Sequence, residues 1–343
     1  MNPWRIWGWP LYSNTFSYIN NGFFRALKHM GHDVEWLDDT VENGLGSFAA
    51  GTIFLLEGQV DIHVPKRADC FYILHCCEKK KYLAAGIPES NILCYNVLDY
   101  RQGKLYGPSM VGEEVDGRWW NRFMSYDVPE TVRLAVDNWT PGRNGEGNSL
   151  HFPWATDLLP SEIDFNMQNL EKIAAIPKTG VHFTGYNISI QCEYERLVRD
   201  HFGLPYTSLG GYEHRNVSIE ENIYRTQSSL FAPAVQPDYQ QGCGYLPCRI
   251  FKNLSYGAFG VTNNPGVADF FKDYLGGAIV YDLDLVSLTQ KAIARAGARD
   301  FEGERKAMRF IRDEHTYINR VNALKAGFRH HWALLGITPL LLQ

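Results

Sequence analysis

Three apolar runs in the first third of the chain limit what it can fold into: Thr52-Ile-Phe-Leu-Leu56, Phe71-Tyr-Ile-Leu74 and Ile92-Leu-Cys-Tyr95. None alternates apolar with polar residues. A strand that is apolar on both faces must be covered on both faces, which is the condition of a parallel sheet flanked by helices. Upstream, Trp4-Arg-Ile-Trp-Gly-Trp9 reads as an opening strand ended by Pro10. Ile19, Phe23, Leu27 and Met30 form the apolar stripe of a helix with Ser17 as its N-cap, and Val34-Glu-Trp-Leu37 reads as the next strand. Strand, helix, strand in this order is one βαβ unit of a doubly wound α/β fold.

In such folds ligands gather at the carboxyl ends of the strands. Two of the apolar runs end on chemically useful side chains, Glu57 and His75. Either is a candidate general base, with a strand-end hydrogen bond as the bland alternative. Asp38, Asp39, Asp127 and Asp157 are lesser candidates for the same role. The first strand leads into the polar loop Tyr12, Ser13, Asn14 and Thr15, which lacks the glycine fingerprint of a dinucleotide site. Residues 140–149, rich in glycine, read as a surface loop, and Trp119-Trp120 with Phe123-Met124 suggest a strand.

A chain of 343 residues predicts about two domains. The second begins near Pro177, with Val181-His-Phe-Thr184 as its first strand and a turn at Gly185. Ser218 reads as the cap of a helix over 219–227, with Glu221 as capping-box partner. The stretch from Cys248 to Asp269 then reads as a helix over 246–255 closed at Tyr256-Gly257, a strand at 259–262, a turn at Asn263-Asn264-Pro265-Gly266, and a helix over 267–275. Backbone N–H groups at that turn, with Arg249 and Lys252 on the preceding helix, suit a phosphate or diphosphate. Arg grips two oxygens and Lys acts as a point charge; together such cations stabilise a leaving diphosphate without a metal. Asp282-Leu-Asp284 resembles a metal motif, but its place between strand and helix marks an N-cap. No cofactor or metal is expected.

The residues Arg249-Ile-Phe-Lys252, Gly257, Val261-Thr-Asn-Asn264, Glu314-His-Thr-Tyr317 and Asn319-Arg320 resemble, in order and spacing, the donor-binding core of GT-B glycosyltransferases. The closest likeness is to the group related to spore-maturation proteins of the CgeB type, within glycosyltransferase family 1-type sequences. Phe152-Pro-Trp-Ala-Thr-Asp157 looks like that group's P-x-A-x-D stretch. The resemblance implies two Rossmann-like domains facing a cleft: an acceptor domain over 1–165, a donor domain over 177–315, and a helical tail over 316–343 that crosses back to the first domain. It implies transfer of a sugar from a nucleotide-sugar donor to a glycan or other hydroxyl acceptor. The donor side would comprise Gly185, Arg249, Lys252, Asn253, Thr262, Asn263 and Asn264, and the loop Tyr12 to Thr15 would face the acceptor. His315 would be structural. Retaining members place carboxylates where this chain has Gly244 and Lys252, so a retaining mechanism does not carry over. A nucleotide-sugar epimerase and a non-catalytic sugar-nucleotide-binding protein are the competing readings.

Composition narrows the partners. A net charge of −5 provides no basic excess for nucleic acid. No apolar run reaches the ~18 residues of a membrane span. Seven cysteines without metal or disulfide spacing predict a cytoplasmic setting. Nine Trp and nineteen Tyr are core fillers first, although loop aromatics also suit stacking on sugar rings.

Overall fold

The computed structural model describes residues 2–57, 60–75, 77–97, 113–115, 118–120, 135–137, 147–185, 189–209, 217–242 and 245–336. It divides into two units, one formed by Met1–Val97, Tyr106–Phe152 and Tyr317–Gln343, the other chiefly by Pro153–Thr316. Each is an α/β unit with a parallel sheet.

The strands of unit 1 are β1 (Trp4–Gly8), β2 (Val34–Asp38), β3 (Ile53–Glu57), β4 (Phe71–His75), β5 (Ile92–Asn96), β6 (Glu113–Val115), β7 (Arg118–Trp120), β8 (Ala135–Asp137) and β9 (Gly147–His151). Seven of them form one sheet in the order β2-β1-β3-β4-β5-β9-β8, parallel except for the β8–β9 pair. Strands β6 and β7 pair separately as an antiparallel ribbon. Every residue of β3 and β4 is buried, which explains why neither run carries a polar face. The strand order reverses between β1 and β3, so a crevice is expected at their carboxyl ends.

The helices of unit 1 are α1 (Thr15–His29), α2 (Val41–Gly44), α3 (Lys79–Ala84) and, last in the chain, α13 (Tyr317–Leu334). Helix α1 buries Ile19, Phe23 and Leu27 of the predicted stripe together with Ala26, while Met30, the fourth predicted member, is the half-buried C-cap just past the helix end. Its cap is Asn14 rather than Ser17: the Asn14 side chain accepts from Phe16 N at 3.0 Å, while Ser17 Oγ closes the box by accepting from Asn14 N at 3.3 Å. Both residues are good caps; the one that starts the helix is the one with extended backbone (φ −146°, ψ 158°). Helix α13 packs directly on α1. A Cβ on Gly22 would lie 2.2 Å from the Tyr317 ring, so only glycine admits this approach. Phe23 meets Tyr317 edge-on at 4.6 Å.

The glycine-rich stretch departs from expectation. Residues 140–146 lie outside the described residues, but Gly147–His151 is β9, paired with β5 and β8 rather than looped. Its Gly-Asn-Ser start has poor strand propensity; ladder pairing on both edges and the buried Leu150 override it. Of the suggested strand at 119–124, Trp119 and Trp120 belong to β7, and Phe123 and Met124 lie outside the described residues.

The strands of unit 2 are β10 (Val181–Thr184), β11 (Tyr206–Leu209), β12 (Ala232–Pro233), β13 (Gly260–Thr262) and β14 (Ile279–Tyr281). Strand β10 pairs with β11, and β12, β13 and β14 pair in series, all parallel. A parallel bridge between Gly180 and Ser229 joins the two groups in the order β11-β10-β12-β13-β14. The reversal here falls between β10 and β12. The helices are α4 (Pro160–Gln168), α5 (Leu170–Ala174), α6 (Ser189–Arg196) with a π turn at Leu197–His201, α7 (Ile219–Ser228), α8 (Asp238–Gly242), α9 (Cys248–Ser255), α10 (Pro265–Phe270), α11 (Leu285–Gly297) and α12 (Phe301–Glu314). Val181, Phe231, Val261, Val280 and Leu288 centre its core.

Helix α10 starts at Pro265 rather than at 267, because Asn264 caps it and Pro is well suited to the first helical position. Ser218 caps α7 as expected, accepting from Glu221 N at 3.1 Å. The Glu221 carboxylate turns instead to Arg225, one turn on.

Candidate functional site

In unit 1, β3 and β4 run in register so that Glu57 lies opposite His75. Strand geometry sends both side chains to the same face, and His75 donates Nδ1–H to Glu57 Oε2 at 3.0 Å. The pair is 2–3% exposed. Tyr95 stacks on the imidazole at 4.9 Å and 22°, and Phe16 of α1 flanks it at 5.7 Å. The Tyr95 ring stacks in turn on Phe152 at 5.1 Å. Glu57 Oε1 is buried with no hydrogen-bond partner among the described residues. With Nδ1 held by a carboxylate, Nε2 is the basic nitrogen, and the carboxylate stabilises the imidazolium that forms when it takes a proton.

The loop preceding α1 is a tight turn. Ser13 donates both its N–H and its Oγ–H to the Pro10 carbonyl, at 3.0 and 2.6 Å. Asn14 is spent as the helix cap, and Thr15 is the exposed first helical residue. Tyr12 adopts φ 65°, and its ring lies 5.3 Å from that of Tyr18.

The lesser acidic candidates have other duties. Asp39 accepts from Trp7 Nε1 and from the N–H groups of Ile62 and His63, at 2.8–3.0 Å. Asp157 holds Lys252 and Tyr256 in unit 2. Asp38 ends β2, and Asp127 lies outside the described residues.

In unit 2 the donor-side candidates divide sharply. Arg249, on α9, donates Nη1–H to the carbonyl of Thr184 at 2.7 Å, at the end of β10. Its guanidinium lies over the Phe183 ring, 4.1 Å from the centroid. Gly185 makes room for it: a Cβ there would fall 1.9 Å from Arg249 Nη1. Arg249 Nε is buried without a hydrogen-bond partner, and among the described residues no carboxylate pairs with the guanidinium. Burial works against its charge, opposed more weakly by the neighbouring thiol of Cys248 and the phenols of Tyr245 and Tyr206. Arg249, half-buried as a residue, thus brings a guanidinium with one unused, buried donor to the strand-order reversal of unit 2.

Lys252, one turn further along α9, is buried and ion-paired with Asp157 Oδ2 at 2.7 Å. Tyr256 donates to Asp157 Oδ1 at 2.6 Å, Thr156 Oγ1 meets Ser255 Oγ at 2.7 Å, and Asn166 donates to the Ser255 carbonyl at 3.0 Å. The P-W-A-T-D stretch thus anchors the buried face of α9.

The four remaining candidates serve the backbone. Asn253 donates to the Ala232 carbonyl at 2.8 Å. Asn263 bonds both backbone groups of Gln236, at 2.8 and 3.0 Å. Asn264 donates to Gln236 Oε1 and Tyr245 O while its Oδ1 accepts from Gly266 N at 2.7 Å. Thr262 Oγ1 accepts from Asn264 N at 3.1 Å and donates to Ala234 O at 3.4 Å. The Gly266 N–H expected to face a phosphate is therefore occupied by the cap's own side chain.

Two sequence readings away from the site take definite form. Asp284 caps α11, accepting from Ser287 N at 2.7 Å. His315 is buried among the rings of Phe251, Phe270 and Phe310, at 4.7–5.2 Å.

No protein-family model matches the chain, and no curated protein sequence does. Several solved structures bear a slight likeness to it, three of which follow. An α-glucosyltransferase in complex with UDP and a DNA containing a HMU base is 10% identical, with 92% of this chain and 96% of that one covered and a TM-score of 0.47. An α1,3-fucosyltransferase with GDP is 12% identical, with 98% and 90% covered and a TM-score of 0.40. The α,α-trehalose 6-phosphate synthase of Burkholderia multivorans is 8% identical, with 98% and 96% covered and a TM-score of 0.42. At these identities and scores none transfers a substrate to this chain. Among the described residues no helix is long and apolar enough to cross a membrane.

Proposed function

We propose that the chain is a metal-independent glycosyltransferase that inverts the anomeric centre of a nucleotide-sugar donor. The observation that carries this reading is Arg249, a half-buried arginine whose guanidinium has no carboxylate partner among the described residues, seated on Phe183 and admitted by Gly185 at the strand-order reversal of unit 2. In this reading it holds a diphosphate, whose charge grows as the bond to the anomeric carbon breaks. On unit 1, His75 removes the acceptor hydroxyl proton through Nε2 while Glu57 keeps Nδ1 protonated. The acceptor oxygen bonds to the anomeric carbon, and the nucleoside diphosphate leaves with the electron pair of the broken bond. Lys252, Asn253, Thr262, Asn263 and Asn264 act behind Arg249, fixing α9 and the β13–α10 turn rather than touching the donor.

The test is a thermal-shift panel of UDP-, GDP-, dTDP- and CMP-sugars on the full chain, with and without EDTA. Ligand at about 100 times Kd stabilises a fold by about 2.7 kcal/mol. One nucleotide class should shift the melting temperature equally with and without EDTA. Arg249→Met should abolish the shift, and Gly185→Ala should weaken it by displacing the guanidinium. A shift that survives Arg249→Met would remove the anion site from this reading, and one that needs metal would remove metal independence. His75→Ala should leave the shift in place and abolish transfer.

A further inference from the structure

At the amino ends of its strands, unit 2 encloses a polar cavity of about 130 Å³, walled in part by Lys178, Thr226, Gln227, Gly257 and Arg299. Lys178 and Gly257 stand just before β10 and β13, and Thr226 and Gln227 lie in the last turn of α7, ahead of β12. These strands run parallel, so the cavity lies at the opposite end of the sheet from Thr184, to whose carbonyl Arg249 donates. Among the described residues no carboxylate lines it. Donors are in excess. Lys178 donates to the Gln227 carbonyl at 2.6 Å and has no carboxylate partner among the described residues. Arg299, whose side chain is 10% exposed, gives Nε–H and Nη2–H to Glu304 and Nη2–H to the Gly257 carbonyl at 2.8 Å. Its Nη1 makes no hydrogen bond to any described residue. Thr226 is 5% exposed, and its hydroxyl likewise has no partner among the described residues. Glu304 offsets the charge of Arg299, while that of Lys178 stands without a counterpart. Partial burial, and then the charge of Arg299, push the Lys178 ammonium down to about 8.

We propose that this cavity binds a small tetrahedral oxyanion of the phosphate or sulfate class, held by Lys178, by Nη1 of Arg299 and by the Thr226 hydroxyl. The cavity is several times the ~30 Å³ of one liquid water, enough for the five heavy atoms of such an ion. An acceptor-only ligand satisfies all three sets of donors at once, and hydrogen bonds to it from two cations are of the strong, charge-assisted kind. Lys178 is itself exposed, which gives an ion from solvent a way in. Once bound, the ion ties the starts of β10 and β13 to the end of α7 and so stabilises unit 2. The site is independent of glycosyl transfer and of Arg249.

Calorimetric titration of the full chain with sodium phosphate and with sodium sulfate, in chloride buffer of matched ionic strength, reads the affinity. Melting curves in the same solutions read the stability. Both ions should bind saturably and raise the melting temperature. Glycerol 2-phosphate, whose phosphoryl group is carried by a larger molecule, should bind at least tenfold more weakly than phosphate. Lys178→Met should weaken binding by about tenfold or more, as loss of a charge-assisted hydrogen bond does. Thr226→Val should weaken it by about fivefold and, without the ion, melt no lower than wild type, because its hydroxyl gives up no partner. It serves in place of Lys178→Met if that chain does not fold. Arg249→Met should bind phosphate as wild type does. No saturable binding, binding unchanged in Lys178→Met and Thr226→Val, or equal affinity for glycerol 2-phosphate would overturn the proposal. So would loss of phosphate binding in Arg249→Met, since the ion would then belong to the donor site. Donor binding, read by the nucleotide-sugar shift, stands or falls separately from these outcomes.

Discussion

At the scale of single residues, the two cations of α9 look equivalent in sequence and differ in the folded chain. Arg249 has an unused donor and no carboxylate partner among the described residues, whereas Lys252 faces Asp157 at 2.7 Å. Removing one member of a buried ion pair costs roughly 3–5 kcal/mol, because the other charge stays behind without its partner. Lys252→Met should therefore lower unfolding free energy in urea by about that amount, and adding Asp157→Asn should restore part of it. If Lys252→Met were instead as stable as wild type and lost only donor affinity, the ammonium would belong to the donor. The sequence shows both charges and the helix that carries them. It could not show which one is neutralised, because Asp157 lies almost a hundred positions upstream, and a pairing that distant leaves no periodic trace. Glu57 and His75 were legible for the opposite reason. Each follows an apolar run at a strand end, and two adjacent parallel strands of equal length in register bring those ends together.

At the scale of elements, apolar period located most strands and helices, while capping decided their limits. Helix α1 begins at Thr15 because Asn14 takes the cap, and α10 begins at Pro265 because Asn264 does. Strand β9 was illegible because its composition is that of a loop and its stability comes from β5 and β8. The start of α11 shows what a cap contributes. Asp284 accepts from Ser287 N, and Asp282 accepts from Lys291, from Ser287 Oγ and from Asp284 N, at 2.5–3.0 Å. Lys291 first, then Ser287 and the Asp284 N–H, hold the Asp282 carboxyl down to about 2 from an ordinary 3.8. A depressed carboxyl contributes stability that is complete above its unfolded value and is lost as pH falls through the folded one. Asp282→Asn should thus melt below wild type at pH 7, with the gap narrowing as pH falls from about 3.8 and closing only below about pH 2. A gap independent of pH would assign the effect to packing rather than charge.

At the scale of the whole molecule, the chain leaves unit 1 after Phe152 and returns to it at Tyr317, so unit 1 cannot close until its last helix has been made. The apolar pattern marks α13 as a helix, and only the family resemblance sends it back to the first domain; neither names its seat, which includes Gly22, His32 and Glu89, more than two hundred positions earlier. That seat is pinned by two histidines. Lys325 donates Nζ–H to His32 Nε2 at 2.8 Å, which requires that nitrogen to be unprotonated, and His331 donates Nε2–H to the Glu89 carbonyl at 3.0 Å. Burial lowers the pKa of both, reinforced at His32 by Lys325 and opposed at His331 by the Glu89 carbonyl. Because each is held neutral in the fold, the unfolded chain takes up protons first as pH falls. The stabilisation is present above the ordinary value of 6.5 and is lost as pH drops from there toward the folded values. Each histidine adds a slope of at most about 1.4 kcal/mol per pH unit. Unit 1 should lose stability between pH 7 and pH 5, ahead of most carboxylates, with hydrogen exchange rising first in α13 and the α1 face beneath it. His32→Gln with His331→Gln keeps an acceptor for Lys325 and a donor for Glu89 but cannot titrate. Its melting temperature should therefore be nearly flat over the same interval. An equally steep fall in the double variant would show that the acid sensitivity of unit 1 arises elsewhere than at the seat of its last helix.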